Sequence, residues 1–425
     1  MSRKDSISIY SSALVRAAED GKAELCSQLI KNGATVNSTD EDSWGPLMFA
    51  AENGHDLCAR VLLENGAAVD AQTSSGHTAL MAVCQYGHDL CARILFENGA
   101  DANHTTPEGS TSLMFAAQNG HDLCARVLLE NGAAVDAQDN KGVTALIKAA
   151  ESGHDLCARI LIENGPNLKA KTNEECFTAL AFAAQNGHDL CVRVLLENGA
   201  AVDALDGEGW TTLMWACQDG HNLVARVLLE AKADPNKADN EGETALLLSA
   251  QNGHDLCARV LLENGAAVDA QNKKGWTALM YSAQNGRDLC ARVLLENGAN
   301  PELKTTLGST ALMLSKDFRR ENCARLLRCF QLLRKWRDAV RAEAIAVYWM
   351  KLHAMATFGP GCTASMYGIL MENGREEEAN ALYTSEYVYQ LERELKRKRG
   401  KEDGEKGINR AAELTKYRCG IQRQS

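Results

Sequence analysis

No uninterrupted apolar run in this chain approaches the roughly eighteen residues that a membrane-spanning helix needs. Met1–Asp20 also lacks the hydrophobic segment of a secretory signal peptide. Equally missing are a glycine-rich phosphate loop, a serine nucleophile elbow, the paired-histidine helix of zinc proteases and any clustered Cys/His set of the zinc-finger kind. Membrane insertion, metal and cofactor binding, turnover of a small-molecule substrate and the common enzyme classes therefore have no residues to rest on. A soluble, non-enzymatic, cytoplasmic protein is expected. Positive charge is scarce over most of the length. Before Lys316 there are 23 Lys and Arg against 41 Asp and Glu, and from Lys316 onward 22 against 15. Phosphate contacts need clustered cations, so nucleic acid is an unsuitable ligand for the acidic part.

What the chain does have is itself, many times over. Gly54–Gln72 reads GHDLCARVLLENGAAVDAQ, and the same nineteen residues return at Gly120–Gln138 and Gly253–Gln271. Near copies begin at Gly87, Gly153, Gly187, Gly220 and Gly286, in steps of 33 with a single step of 34. The extra residue falls in Asn173-Glu174-Glu175. A fixed period of this length marks a repeat architecture, in which each unit contacts its neighbours and no central core is needed.

One unit, Thr73–Asn103, shows how a repeat is built. Thr73-Ser74-Ser75-Gly76 is turn chemistry. Thr78 can cap a helix carrying Leu80, Val83 and Cys84 on its core side, and Gly87 ends it. His88 and Asp89 open a second helix, with the acid at the positive end of the dipole. Leu90, Cys91, Ile94 and Leu95 form its apolar stripe, and Asn98-Gly99 closes it. Such a unit is too small to bury its own apolar face, so stacking must do so.

The unit resembles the ankyrin repeat, whose period is 33 and whose signature is T-P-L-H-x-A. The related strings here are Thr78-Ala79-Leu80-Met81, Thr144-Ala145-Leu146-Ile147, Thr244-Ala245-Leu246-Leu247 and Thr277-Ala278-Leu279-Met280. The resemblance implies an all-α solenoid of helix-turn-helix units with hairpin-like turns, about ten repeats over residues 12–328, after an extension at 1–11. The terminal units are atypical: Ser27 and Gln28 replace Arg and Val in the first, and Arg319-Arg320-Glu321 takes the Gly-His-Asp place in the last. The signature His is replaced throughout, by Met48, Met81, Met114, Ile147, Ala181, Met214, Leu247, Met280 and Met313, which removes a side-chain hydrogen bond the family typically makes near the turn.

Two recurring patterns invite chemistry and receive plainer readings. Cys58, Cys91, Cys124, Cys157, Cys191, Cys257, Cys290 and Cys323 fill one repeat position. Neighbouring units stand one helix-packing distance apart, about 8–10 Å, whereas a disulfide needs Cα atoms closer than about 7 Å. These are buried reduced thiols in a reducing compartment. The His three residues before six of them, from His55 to His254, could suggest zinc, but stacking separates the pairs unit by unit instead of converging four ligands. Asp56, Arg60 and Glu64, at i, i+4 and i+8, read as a solvated face with in-helix ion pairs.

Variation between copies is more telling. The residue before the helix-capping position, a Thr in all these units but one, is Trp44, His77, Ser110, Val143, Phe177, Trp210, Glu243, Trp276 or Ser309. A second variable position, on the first helix, is held by Phe49, Ala82, Phe115, Lys148, Phe182, Trp215, Leu248, Tyr281 or Leu314. In ankyrin-like folds these tips and helix faces line the concave groove. Large aromatics suit binding hot spots, so Trp44, His77, Phe177, Phe182, Trp210, Trp215, Trp276 and Tyr281 are the candidate contacts for a partner protein, with the helix rings also open to a plain packing role.

After the array, residues 329–357 read as a continuing helix and 358–425 as a charged helical tail, with helices expected near Ala364–Glu372 and Arg375–Arg399. Phe330-Gln331 with Lys335 partly matches a calmodulin-binding motif, but Trp336 replaces its Gly and Arg341 falls one position late. Lys396-Arg397-Lys398-Arg399 fits a nuclear-import signal or a solvated helix end. The leading expectation is a protein-binding scaffold or adaptor. The alternative is an effector tail, bound by a calmodulin-like or import-receptor partner, with the array as tether.

Overall fold

Threonine and glycine punctuate the chain where the repeat demands. In the computed structural model, which describes residues 3–339, the first helix of each repeat from Thr78 onward starts where a Thr side chain accepts from a backbone N–H three residues on. Thr78 accepts from Met81, Thr111 from Met114, and Thr144 from Ile147. Such a cap satisfies a donor that the helix cannot, and is worth about 1 kcal/mol. Gly87, Gly120 and Gly153 end these helices in the left-handed region.

The described residues are all-α. Thr105↔Thr111 and Leu205↔Thr211 are isolated antiparallel bridges at the feet of hairpin-like tips, and no strand is formed among the described residues. Two compact units divide the chain, Met1–Asn240 and Glu241–Ser425. In the first, the first helices are α1 (Arg3–Glu19), α3 (Pro46–Glu52), α5 (Ala79–Tyr86), α7 (Ser112–Asn119), α9 (Ala145–Ser152), α11 (Ala179–Gln185) and α13 (Thr212–Gln218). The second helices are α2 (Ala23–Lys31), α4 (Asp56–Glu64), α6 (Asp89–Glu97), α8 (Asp122–Glu130), α10 (Asp155–Glu163), α12 (Asp189–Glu197) and α14 (Asn222–Glu230). First helices pack on first helices and second on second, each repeat lying beside the next. The expected extension is not separate, because α1 runs unbroken from Arg3 and Ser11 Oγ accepts from Thr35 N–H at 3.0 Å.

In the second unit the helices are α15 (Ala245–Asn252), α16 (Asp255–Glu263), α17 (Ala278–Asn285), α18 (Asp288–Glu296), α19 (Ala311–Asp317) and α20 (Glu321–Ala339). Helix α20 runs from Glu321 to Ala339, and the rest of the helix expected over 329–357 lies outside the described residues. The calmodulin-like match extends beyond the described residues, and the expected helices near 364–372 and 375–399 and the basic run Lys396, Arg397, Lys398, Arg399 lie wholly outside them.

The core consists of the expected stripes, with one correction. Leu80, Val83, Cys84, Cys91, Ile94 and Leu95 are buried, but Leu90 is 61% exposed. Leu57, Leu123, Leu156, Leu190 and Leu223 share its position and its exposure. A nine-residue second helix packs through its third, fourth, sixth and seventh residues, which leaves the second residue at the outer edge. The residues replacing the signature His are buried at Met48, Met81, Met114, Ile147 and Met214, where they fill the core in place of a polar contact. Only in the last repeat, at Met313, is the replacement exposed.

The histidines have a structural task. Nε2 of His88 donates to the Glu52 carbonyl at 2.9 Å, His121 to Gln85 at 3.0 Å and His154 to Gln118 at 3.1 Å. Each ring lies under the glycine ending the previous first helix, so close that a Cβ on Gly87 would fall 2.5 Å from His121 Nδ1. In the second unit Arg287 and Arg320 do the same work, their Nε atoms donating to Gln251 and Gln284 carbonyls at 3.4 and 3.1 Å. The ion pairs also differ from expectation. Arg60 pairs with Glu97 and Arg93 with Glu130, at 3.5 and 3.9 Å, so these bridges tie neighbouring repeats together.

Candidate protein-binding face

Each tip is shaped by one polar side chain that ties down the loop. Asp206 Oδ1 accepts from Glu208 and Trp210 N–H at 2.9 and 2.8 Å, while its Oδ2 accepts from Trp215 Nε1 at 2.8 Å. One carboxylate thus closes the tip and fixes both indoles. Asp40 and Asp139 close their tips in the same way onto Trp44 and Val143. Successive tips are also laced together: Ser74 N–H donates to the Asp42 carbonyl, Asn140 to Glu108 and Asn173 to Lys141, at 2.9–3.0 Å. A partner would therefore meet a preorganised edge, with little ordering left to cost affinity.

The aromatic residues pair tip to helix. Trp44 and Phe49 rings stand 5.3 Å apart, Trp210 and Trp215 4.6 Å, and Phe177 and Phe182 5.1 Å. Phe177 also meets Trp215 edge-on at 5.0 Å, which joins two repeats into one aromatic platform. His77 packs on Phe115 of the following repeat at 5.3 Å. In the second unit Trp276 stacks on Tyr281 at 4.9 Å, and the Tyr281 hydroxyl donates to Glu243 Oε1 at 2.7 Å. These spacings suit favourable ring pairs.

The candidate residues are not equally presented. Phe177 is buried, 5% exposed, so its ring supports Phe182 and Trp215 from below. Trp44, His77, Phe182, Trp210, Trp215, Trp276 and Tyr281 are half-buried, each seated on a neighbour with one side open. Apart from Phe177, the candidate tip and helix rings are half-buried alike. Sequence reasoning missed Asp206, Glu243 and Asn272, which hold the rings. Asn272 Oδ1 accepts from Trp276 N–H at 2.9 Å and its amide donates to Tyr281. The signal was available, since Asp40, Asp139, Asp206 and Asn272 share one repeat position.

Acids rim the face in the first unit. Glu41, Asp42, Glu108, Glu174, Glu175 and Glu208 are exposed on the tips, with Lys141 and Lys171 among the few cations there. No group of three or more His, Cys, Asp or Glu residues suited to a metal occurs among the described residues. Among those residues too, no helix is long and apolar enough to cross a membrane. The cysteine column is buried and free of disulfides, and burial pushes the Cys157 thiol up to about 12, with Asp122 adding to the shift.

Stacked helix pairs with projecting tips define the class: an all-α repeat solenoid. The family model for ankyrin repeats matches residues 14–106, 91–172, 168–239, 232–305 and 270–335, and the chain belongs to the ankyrin-repeat family. Among solved structures, the human ASB11 ankyrin repeat domain is similar at 28% identity and a TM-score of 0.48, covering 52% of this chain and 98% of that one. A comparison with curated proteins found no match.

Proposed function

We propose that this chain is a non-enzymatic scaffold or adaptor that captures a partner protein on its tips and first helices, working in a reducing compartment such as the cytoplasm. Ankyrin repeats are generally protein-interaction modules. The observation that carries the reading here is the platform of Phe182, Trp210 and Trp215. It is half-open, braced by buried Phe177 and fixed by the Asp206 carboxylate. Half-buried, rigid indoles with a prearranged polar anchor favour binding, because they offer large contact area at small entropic cost. The test is affinity capture with crosslinking mass spectrometry on the full chain and on Trp210→Ala/Trp276→Ala. The double variant should lose its crosslinked partner while its thermal unfolding stays close to that of the parent. An unchanged set of crosslinks would remove the aromatic face from the function.

A further inference from the structure

The third repeat breaks the aromatic pattern, and the break leaves a cavity. At the first-helix position where other repeats of the first unit carry Phe49, Phe115, Lys148, Phe182 or Trp215, this repeat carries Ala82. Rings at this position elsewhere pack onto a tip residue, as Phe49 does on Trp44 and Phe115 on His77. Without one, a cavity of ≈ 180 Å³ opens, lined by Trp44, Met48, Glu52, His77, Ala82 and Tyr86 among others. Tyr86 is a second departure, since Asn53, Asn119, Ser152, Asn186 and Asp219 hold its place in the neighbouring repeats.

The lining is chemically selective. Glu52 is the one formally charged side chain in it. Tyr86 lines the cavity beside that carboxylate, and burial, followed by the nearby Glu52, raises the phenol above its ordinary range. Trp44 contributes an indole whose N–H end is not needed for its own tip, which is closed through its backbone by Asp40. Asp40, Glu41, Asp42 and Glu108 stand on the adjoining tips, and no Lys or Arg lies on the tips spanning residues 38–45, 73–78 and 105–111. A carboxylate beside an aromatic face under a negative rim is complementary to a cation. The size agrees: a cavity of about 150 Å³ takes benzene, so this one can take a butylammonium or guanidinium side chain.

We infer that the Trp44–Glu52–Ala82–Tyr86 cavity is a specificity pocket for a single cationic side chain, arginine or lysine, on a basic segment of the partner protein. The inference rests on the proposed scaffold function and names the chemistry of what is scaffolded. Glu52 supplies the counter-charge, Tyr86 and Trp44 supply aromatic walls, and Ala82 provides the room.

The test is saturation-transfer NMR on the full chain with N-acetyl-arginine methylamide and its uncharged citrulline counterpart. Transfer to the arginine methylenes and none to citrulline is expected. Ala82→Phe should abolish it, with a sound fold because Phe is native at this place in both adjacent repeats. Glu52→Gln should weaken it by about tenfold, the loss of one charge-assisted contact. Equal transfer to citrulline, or arginine binding that survives both changes, would overturn the pocket. Silence from the parent chain but a signal from a variant with Lys396, Arg397, Lys398 and Arg399 all changed to Gln would overturn it too, by making the chain's own basic run the occupant. Trp210→Ala/Trp276→Ala should leave the arginine signal intact, so failure of the aromatic platform and failure of the pocket are told apart.

Discussion

Two glycines of the third repeat offer a matched experiment on what joins the repeats. Gly87 and Gly99 have nearly the same backbone, with φ of 85° and 82°. Alanine at either must hold a left-handed conformation that costs about 1–2 kcal/mol. They differ in what the new methyl meets. At Gly99 nothing lies within 4 Å, whereas at Gly87 the Cβ would lie 2.5 Å from His121 Nδ1 and 2.7 Å from its Cε1. The ring must swing away, and its 3.0 Å bond to the Gln85 carbonyl goes with it. A lost hydrogen bond of this kind costs about 0.5–1.5 kcal/mol. Gly87→Ala should therefore be the more destabilising by about 1 kcal/mol in equilibrium urea unfolding. Native-state amide exchange should place the excess loss in α5 to α8, because a stack opens locally. Adding His121→Ala should bring Gly87→Ala close to Gly99→Ala, since the clash has gone. Equal costs for the two glycine changes would refute the idea that the histidine column locks one repeat to the next.

Other outcomes follow from the same contacts. Asp206→Ala removes both the tip closure and the Trp215 anchor, so partner capture should fall even where the Trp210 ring is retained; unaltered capture by surface plasmon resonance would count against a preorganised platform. Arg93→Ala should cost under about 0.5 kcal/mol in urea unfolding, because its bridge to Glu130 is about half exposed. The thiols predict a pH dependence. Burial raises Cys91, Cys157 and Cys191 from 9.0 to about 12, so their contribution to stability is complete below pH 9 and is lost as pH rises from 9 towards 12. Cys157→Val, using the residue found at Val224, should flatten the fall of the melting temperature in that window; an unchanged slope would place the effect elsewhere.

The period carried most of the fold. Thr78, Gly87 and Asn98-Gly99 mark the helix boundaries in sequence, and the structure uses each where local chemistry requires it. The short-range rules suffice there because a cap or a left-handed glycine concerns only residues three or four apart. They failed at Leu90, where spacing alone cannot say how wide the buried stripe is, and at Arg60, whose partner sits on another repeat. The candidate face was partly legible: the aromatic positions could be found by comparing copies, but not their pairing or the burial of Phe177.

Thus the sequence by itself determined the ankyrin-repeat stack, because periodic caps, turns and apolar stripes act within one unit and are written into every copy. Only the tertiary structure decided which rings stay half-open, which histidine packs under which glycine, and that Ala82 leaves a cavity beside Glu52. Those properties arise between repeats, where residues about 33 positions apart meet, and a missing side chain becomes a site only once its neighbours are in place.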